Sequence, residues 1–117
     1  MNNVDKFDDV LVFSERLNED IDIIVLGETW IHSNNTVSFQ IKDFHSIFSC
    51  RDDRPGGGLA IFVRKNLHFN ILQCDDGRFP FQFICIELPE YKSTQLWSCY
   101  RPPNSGHSWT LAYFLNF

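Results

Sequence analysis

Val4, Phe7, Val10, Leu11, Phe13 and Leu17 recur at helical spacing, with charged and polar residues between them. The pattern predicts an amphipathic helix over residues 4–18. Asn2 or Asn3 would cap it, and Asp5, Asp8 and Asp9 complement its dipole. The pattern then changes. Ile23, Ile24, Val25 and Leu26 form an unbroken aliphatic run that is too short for a helix and rich in β-branched residues. That is the signature of a strand covered on both faces, and an αβ unit of this kind predicts a parallel neighbour.

Further along, Val37, Phe39 and Ile41 alternate with polar residues, which fits either a short strand or an irregular loop. Residues 46–50 and 59–64 are β-like runs flanking a turn-rich segment with Pro55, Gly56, Gly57 and Gly58, and a hairpin joins them most economically. Three more strands are expected over 67–72, 81–88 and 94–100, with period-two alternation implying sheets with two different faces. After Pro102 and Pro103, the pattern of Trp109, Leu111, Ala112, Tyr113, Phe114 and Leu115 predicts a closing helix, capped by Ser105 or Ser108. With Asn116 and Phe117 following and no glycine cap or polar ending, the terminus reads as cut.

Composition narrows the class. With 117 residues, 44% hydrophobic and 15% aromatic, including 12 Phe, the chain is a globular domain or part of one, and it must bury many rings. The net charge of −5 argues against a generic polyanion binder. Charge is uneven, however: acidic residues crowd the first 22 positions, whereas Arg51, Arg54, Arg64, Lys65 and Arg101 lie beyond residue 50. Cys50, Cys74, Cys85 and Cys99 are too widely spaced for a C-x-x-C motif. The reading is buried free thiols in an intracellular compartment, nuclear or cytoplasmic, with no signal peptide, membrane span or small-molecule cofactor. His32, His45, His68 and His107 lack metal-ligand spacing.

The candidate chemistry lies where the aliphatic run ends. Gly27-Glu28-Thr29-Trp30 delivers a carboxylate at a strand end, where backbone is fixed and side chains reach solvent. Gly56-Gly57-Gly58 lacks the spacing of a phosphate loop and reads as a tight turn or bulge. Arg51 and Arg54 could approach a nucleic-acid backbone from this loop, or pair with Asp52 and Asp53.

Taken together, Asp22-Ile23-Ile24-Val25-Leu26-Gly27-Glu28-Thr29-Trp30, Arg51 to Val63 with its three glycines, and Tyr100-Arg101-Pro102-Pro103-Asn104 resemble the endonuclease/exonuclease/phosphatase family. More narrowly, they resemble the apurinic-type endonuclease domain of non-LTR retrotransposons. The resemblance runs through essentially the whole chain. It implies an α/β fold, a partial four-layer α/β sandwich of mixed sheets flanked by helices and incomplete at both ends. It also implies Mg²⁺-dependent hydrolysis of phosphodiesters in DNA, with Glu28 as the metal anchor, which suits a cation held by few carboxylates plus substrate phosphate. By the same resemblance, Tyr100 would stabilise charge near the scissile phosphate and Asn104 would contact substrate phosphate, although Pro-Pro-Asn-Ser is also an ordinary turn.

The chain departs from the family pattern as well. It carries no strand asparagine ahead of the helix, no Asp-x-Asn and no aspartate-histidine pair. The expectation is therefore a fragment of a DNA endonuclease that does not turn over by itself, with a non-catalytic nucleic-acid or protein-binding remnant as the alternative. A half-sandwich with uncovered strand edges would be poorly soluble or marginally folded.

Overall fold

The computed structural model describes residues 8, 9, 11, 12, 21–52, 57–76, 81–101 and 109–115. Seven strands run through them: β1 (Ile23–Gly27), β2 (Phe44–Ser49), β3 (Leu59–Arg64), β4 (Asn70–Cys74), β5 (Gln82–Leu88), β6 (Thr94–Arg101) and β7 (Trp109–Leu115). They form a three-stranded sheet ordered β1-β3-β2 and a four-stranded sheet ordered β4-β5-β6-β7. Every pairing is antiparallel.

This corrects the expected fold class. The described residues form two antiparallel sheets packed face to face, not mixed sheets flanked by helices. Asp8, Asp9, Leu11 and Val12 are helical, and Leu11 packs against the outer face of the first sheet; the rest of the segment expected as a helix over 4–18 lies outside the described residues. Among the described residues no helix is long and apolar enough to cross a membrane.

The parallel partner expected for β1 is an antiparallel one, with Ile23 opposite Val63 and Gly27 opposite Leu59. The aliphatic run reports coverage on both faces correctly: Ile23 and Val25 pack on the core between the sheets, Ile24 and Leu26 on the core outside the first sheet. Burial on two faces is compatible with either strand direction, so composition alone could not choose between them.

The centre of the first sheet is β3. Leu59, Ile61 and Val63 face inward to meet Ile84, Ile86, Leu88, Leu96 and Tyr100 of the second sheet. Ala60 and Phe62 face outward and are covered by Ile31, Phe39, Ile41 and Phe44. Residues 31–43 are thus a loop, with a 3-10 turn at Thr36–Ser38; Ile31, Phe39 and Ile41 line its underside, whereas Val37 points to solvent. Of the two readings left open by the sequence, the loop is the one adopted.

The expected hairpin is present, with Ser49 opposite Leu59 and Phe44 opposite Arg64. Along β6, Thr94, Leu96, Ser98 and Tyr100 are buried while Gln95, Trp97, Cys99 and Arg101 are half-buried, the alternation of a sheet with two unlike faces. The strand expected over 67–72 runs over Asn70–Cys74; it is an exposed edge strand with a register shift between Ile71 and Gln73, the kind of irregularity that blunts a sheet edge. The helix expected to close the chain is instead β7, paired with β6 from Arg101–Trp109 to Gln95–Leu115. Trp109, Thr110, Tyr113 and Phe114 are good strand formers, and the hydrogen-bonding edge of β6 offers them a ladder that local spacing does not reveal.

Ile61 has no exposed surface and lies in the core between the sheets. Ile61→Ala is expected to destabilise the chain by about 2–5 kcal/mol, measured by urea denaturation. A cost near zero would mean that the two sheets do not pack on each other through β3.

Candidate functional site

One end of the sandwich gathers the ends of β1, β2, β4 and β6 and the starts of β3 and β5. Glu28 follows the last residue of β1, and Tyr100 is the penultimate residue of β6. The two sequence-predicted residues therefore come from different sheets and meet at this end. The Tyr100 ring lies in the core and its residue is only 2% exposed. Its hydroxyl makes no hydrogen bond of full geometry. Burial first, then the charge and looser hydrogen-bonding approach of the Glu28 carboxylate, push the phenol well above its ordinary pKa. The phenol is therefore held in its protonated form, close to the Glu28 carboxylate.

The backbone at Glu28 is itself unusual. Glu28 and Trp30 both adopt positive φ, 54° and 59°, a conformation that costs a non-glycine residue about 1 kcal/mol or more. Hydrogen bonds to the glycine turn hold it. The Thr29 N–H donates to the Gly58 carbonyl at 3.2 Å and the Trp30 N–H to the Gly57 carbonyl at 2.8 Å. Gly58 has φ +99°, and a Cβ there would stand 2.3 Å from Thr29 Oγ1. Gly57 and Gly58 are the part of the expected turn or bulge that lies within the described residues, and only glycine lets the chain approach the Glu28 loop so closely at Gly58.

A second group of contacts, not foreseen from the sequence, ties this turn to the other sheet. Gln82 is fully buried. Its Oε1 accepts the Gly58 N–H at 2.8 Å. Its Nε2 donates to the Ser49 carbonyl at 2.9 Å and to Ser49 Oγ at 3.0 Å. Ser49 Oγ donates to Asp75 Oδ1 at 2.6 Å, and the same oxygen accepts the Phe83 N–H at 3.0 Å. A glutamine at an inward position between Phe81 and Phe83 was the available signal, since a buried polar side chain needs partners.

Of the remaining expected residues, Arg51 lies on the far side of the glycine segment. Arg51 is 4% exposed, with its stem against Gly57. It borders an open cleft of about 510 Å³, lined also by Cys50, Asp52, Cys74, Asp75 and Asp76. Asp52 accepts hydrogen bonds from the Ser33 amide at 2.9 Å and the Ser33 hydroxyl at 2.5 Å, with His32 nearby at 3.6 Å; the Ser33 contacts hold its carboxyl below the usual range. Arg54 and Asn104 lie outside the described residues. All four cysteines are free thiols, but only Cys85 is buried and Cys74 is exposed; desolvation pushes each of them up, which is the reverse of thiol activation.

Among the described residues no group of three or more His, Cys, Asp or Glu side chains is placed to hold a metal ion. Glu28 offers a hard oxygen ligand at the mouth, half-buried beside a protonated phenol. One carboxylate completed by water and phosphate oxygens is a donor set that Mg²⁺ accepts, so the residues present fit that ion in its sparsest form.

A raised phenol pKa has a definite sign in stability. Folded chains keep the Tyr100 proton at a pH where unfolded chains have lost it, so this contribution is intact below about pH 10 and lost as pH climbs further. Tyr100→Phe is expected to change stability at pH 7 by less than about 1 kcal/mol, since no full hydrogen bond is removed. Above pH 10 it should remove up to about 1.4 kcal/mol per pH unit of the alkaline loss. Denaturant melts from pH 7 to 11 test this; parallel curves for the two proteins would show that the phenol is not perturbed. Comparisons of the chain with protein-family models, curated proteins and solved structures find no match.

Proposed function

We propose that the Glu28–Tyr100 mouth is one side of a Mg²⁺-dependent phosphodiesterase centre, of the kind found in retrotransposon-type DNA endonucleases, and that these 117 residues bind without turning over. The observation that carries this reading is the convergence of Glu28 and Tyr100, from opposite sheets, on one end of the sandwich. These two residues are the ones the motif resemblance assigns to metal and scissile phosphate. Glu28 would hold the ion, which supplies charge neutralisation to a bound phosphate. Tyr100, protonated well past neutral pH, would donate its hydroxyl hydrogen to a phosphate oxygen as charge develops there. The strained backbone at Glu28 supports a functional role, since such conformations persist where surrounding contacts enforce them.

Water activation is the missing step. The sequence contains neither an Asp-x-Asn nor an aspartate-histidine pair, and the Glu28–Tyr100 mouth by itself offers no neutral base. Free thiols suit a reducing intracellular compartment. A second reading, a non-catalytic binding module, draws on one further observation. Phe81, Phe83 and Trp97 form a partly exposed row on the second sheet, with ring centroids 5.9 and 6.3 Å apart. Such a row can stack bases or pack on a partner protein.

Terbium luminescence separates these readings, because Trp30 and Tyr100 flank the mouth and can sensitise a bound lanthanide. Tb³⁺ emission that Mg²⁺ displaces is expected in the wild type, weakened more than about tenfold in Glu28→Gln, with plasmid nicking at background in both. Emission insensitive to Glu28→Gln would remove the metal role, and Mg²⁺-dependent nicking lost in Glu28→Gln would overturn the absence of turnover.

A further inference from the structure

We propose that Gln82 is the positioning residue of this mouth: its carboxamide locks the glycine turn and thereby holds the Glu28 carboxylate against Tyr100. The inference deepens the Glu28–Tyr100 reading and rests on it. Gln82 stands opposite Tyr100 in the β5–β6 register, so both project inward from neighbouring strands of the second sheet. From there Gln82 reaches across to the first sheet, and its Oε1 takes the Gly58 N–H at 2.8 Å. The carbonyls of Gly57 and Gly58 in turn receive the amides of Trp30 and Thr29, the residues immediately after Glu28. A continuous set of hydrogen bonds therefore runs from the sheet that carries Tyr100 to the loop that carries Glu28.

The chemistry requires a carboxamide. One end must accept a backbone N–H while the other donates twice to Ser49, at 2.9 and 3.0 Å. Leucine offers neither function and an ionised glutamate lacks the donors. Asparagine is one methylene short of spanning both. The buried position also excludes water as a substitute partner, so losing the side chain frees the turn and lets Glu28, in a conformation that costs energy to hold, relax away from the phenol.

The test uses the full 117-residue chain with ¹³C-labelled tyrosine, reading the Tyr100 Cζ resonance at neutral pH. Glu28→Gln defines the resonance of a phenol without its carboxylate neighbour. Gln82→Met and the milder Gln82→Asn are expected to move Tyr100 most of the way to that position, and adding Glu28→Gln to Gln82→Met should move it no further. Ser49→Ala, which removes one acceptor of Nε2 but not the Gly58 contact, is expected to leave Tyr100 where it is. A wild-type resonance in folded Gln82→Asn, or additive shifts in the double variant, would overturn the proposal, as would a Gln82→Asn chain that fails to fold, which would confine Gln82 to the core. Titrating wild type and Gln82→Asn with Mg²⁺ separates the two layers. No Mg²⁺ response in wild type removes the metal reading while the Gln82 coupling stands, and an equal response in both proteins keeps the metal reading and removes the positioning role.

Discussion

The burial of β3 on both of its faces is the constraint on which the rest of the structure depends. From Leu59 to Val63 no side chain retains exposed surface. Each of the larger ones contributes about 1.5–3 kcal/mol by leaving water. One set, Leu59, Ile61 and Val63, draws the second sheet onto the first, and the other, Ala60 and Phe62, draws the 31–43 loop over the outside. Because β3 is hydrogen-bonded on both edges, to β1 and to β2, its position fixes where β1 ends. The end of β1 fixes where Glu28 begins.

Apolar packing sets the sheets in place, and polar contacts then define one end of them. The inner faces become hydrophilic at that end: Ser49, Gln82, Ser98 and Tyr100 are all buried there or next to it. A buried polar group costs free energy unless it is paired, and Gln82, Ser49 and Asp75 pair with each other and with backbone across the gap between sheets. Ser98 Oγ and the Tyr100 hydroxyl are left without a full hydrogen bond, and of the two the phenol lies beside a carboxylate and is raised in pKa. An under-satisfied donor beside a carboxylate on a strained loop is a feature that packing alone does not favour, and it coincides with the positions that the motif resemblance marks.

Much of this was legible in the sequence at the level of single elements. Period-two alternation located β5 and β6, the glycine-rich segment located the β2–β3 turn, and the aliphatic run located β1. What the pattern could not carry was the choice between partners. The residues of β1 encode burial on two faces without encoding direction, and Trp109–Leu115 satisfies a helical spacing while the edge of β6 supplies a ladder. The alternation of Val37, Phe39 and Ile41 equally suits a strand or a covering loop, and only the need to cover Ala60 and Phe62 on the outer face of β3 decides between them. For the site, Glu28 and Tyr100 were named from motif resemblance and the turn glycines from spacing. Gln82 was missed because a lone glutamine in an aromatic strand looks like a surface residue until its inward parity is counted.

The central claim is that a carboxylate from one sheet and a phenol from the other meet at this end of the sandwich. Nuclear Overhauser contacts between the Glu28 methylene protons and the Tyr100 ring protons test it most directly, in the uniformly labelled chain at neutral pH. The account predicts such contacts, together with contacts from the Gly58 amide to the Gln82 side chain. A Tyr100 ring that shows contacts to Ile84 and Leu96 but none to Glu28 would keep the sandwich and contradict the site.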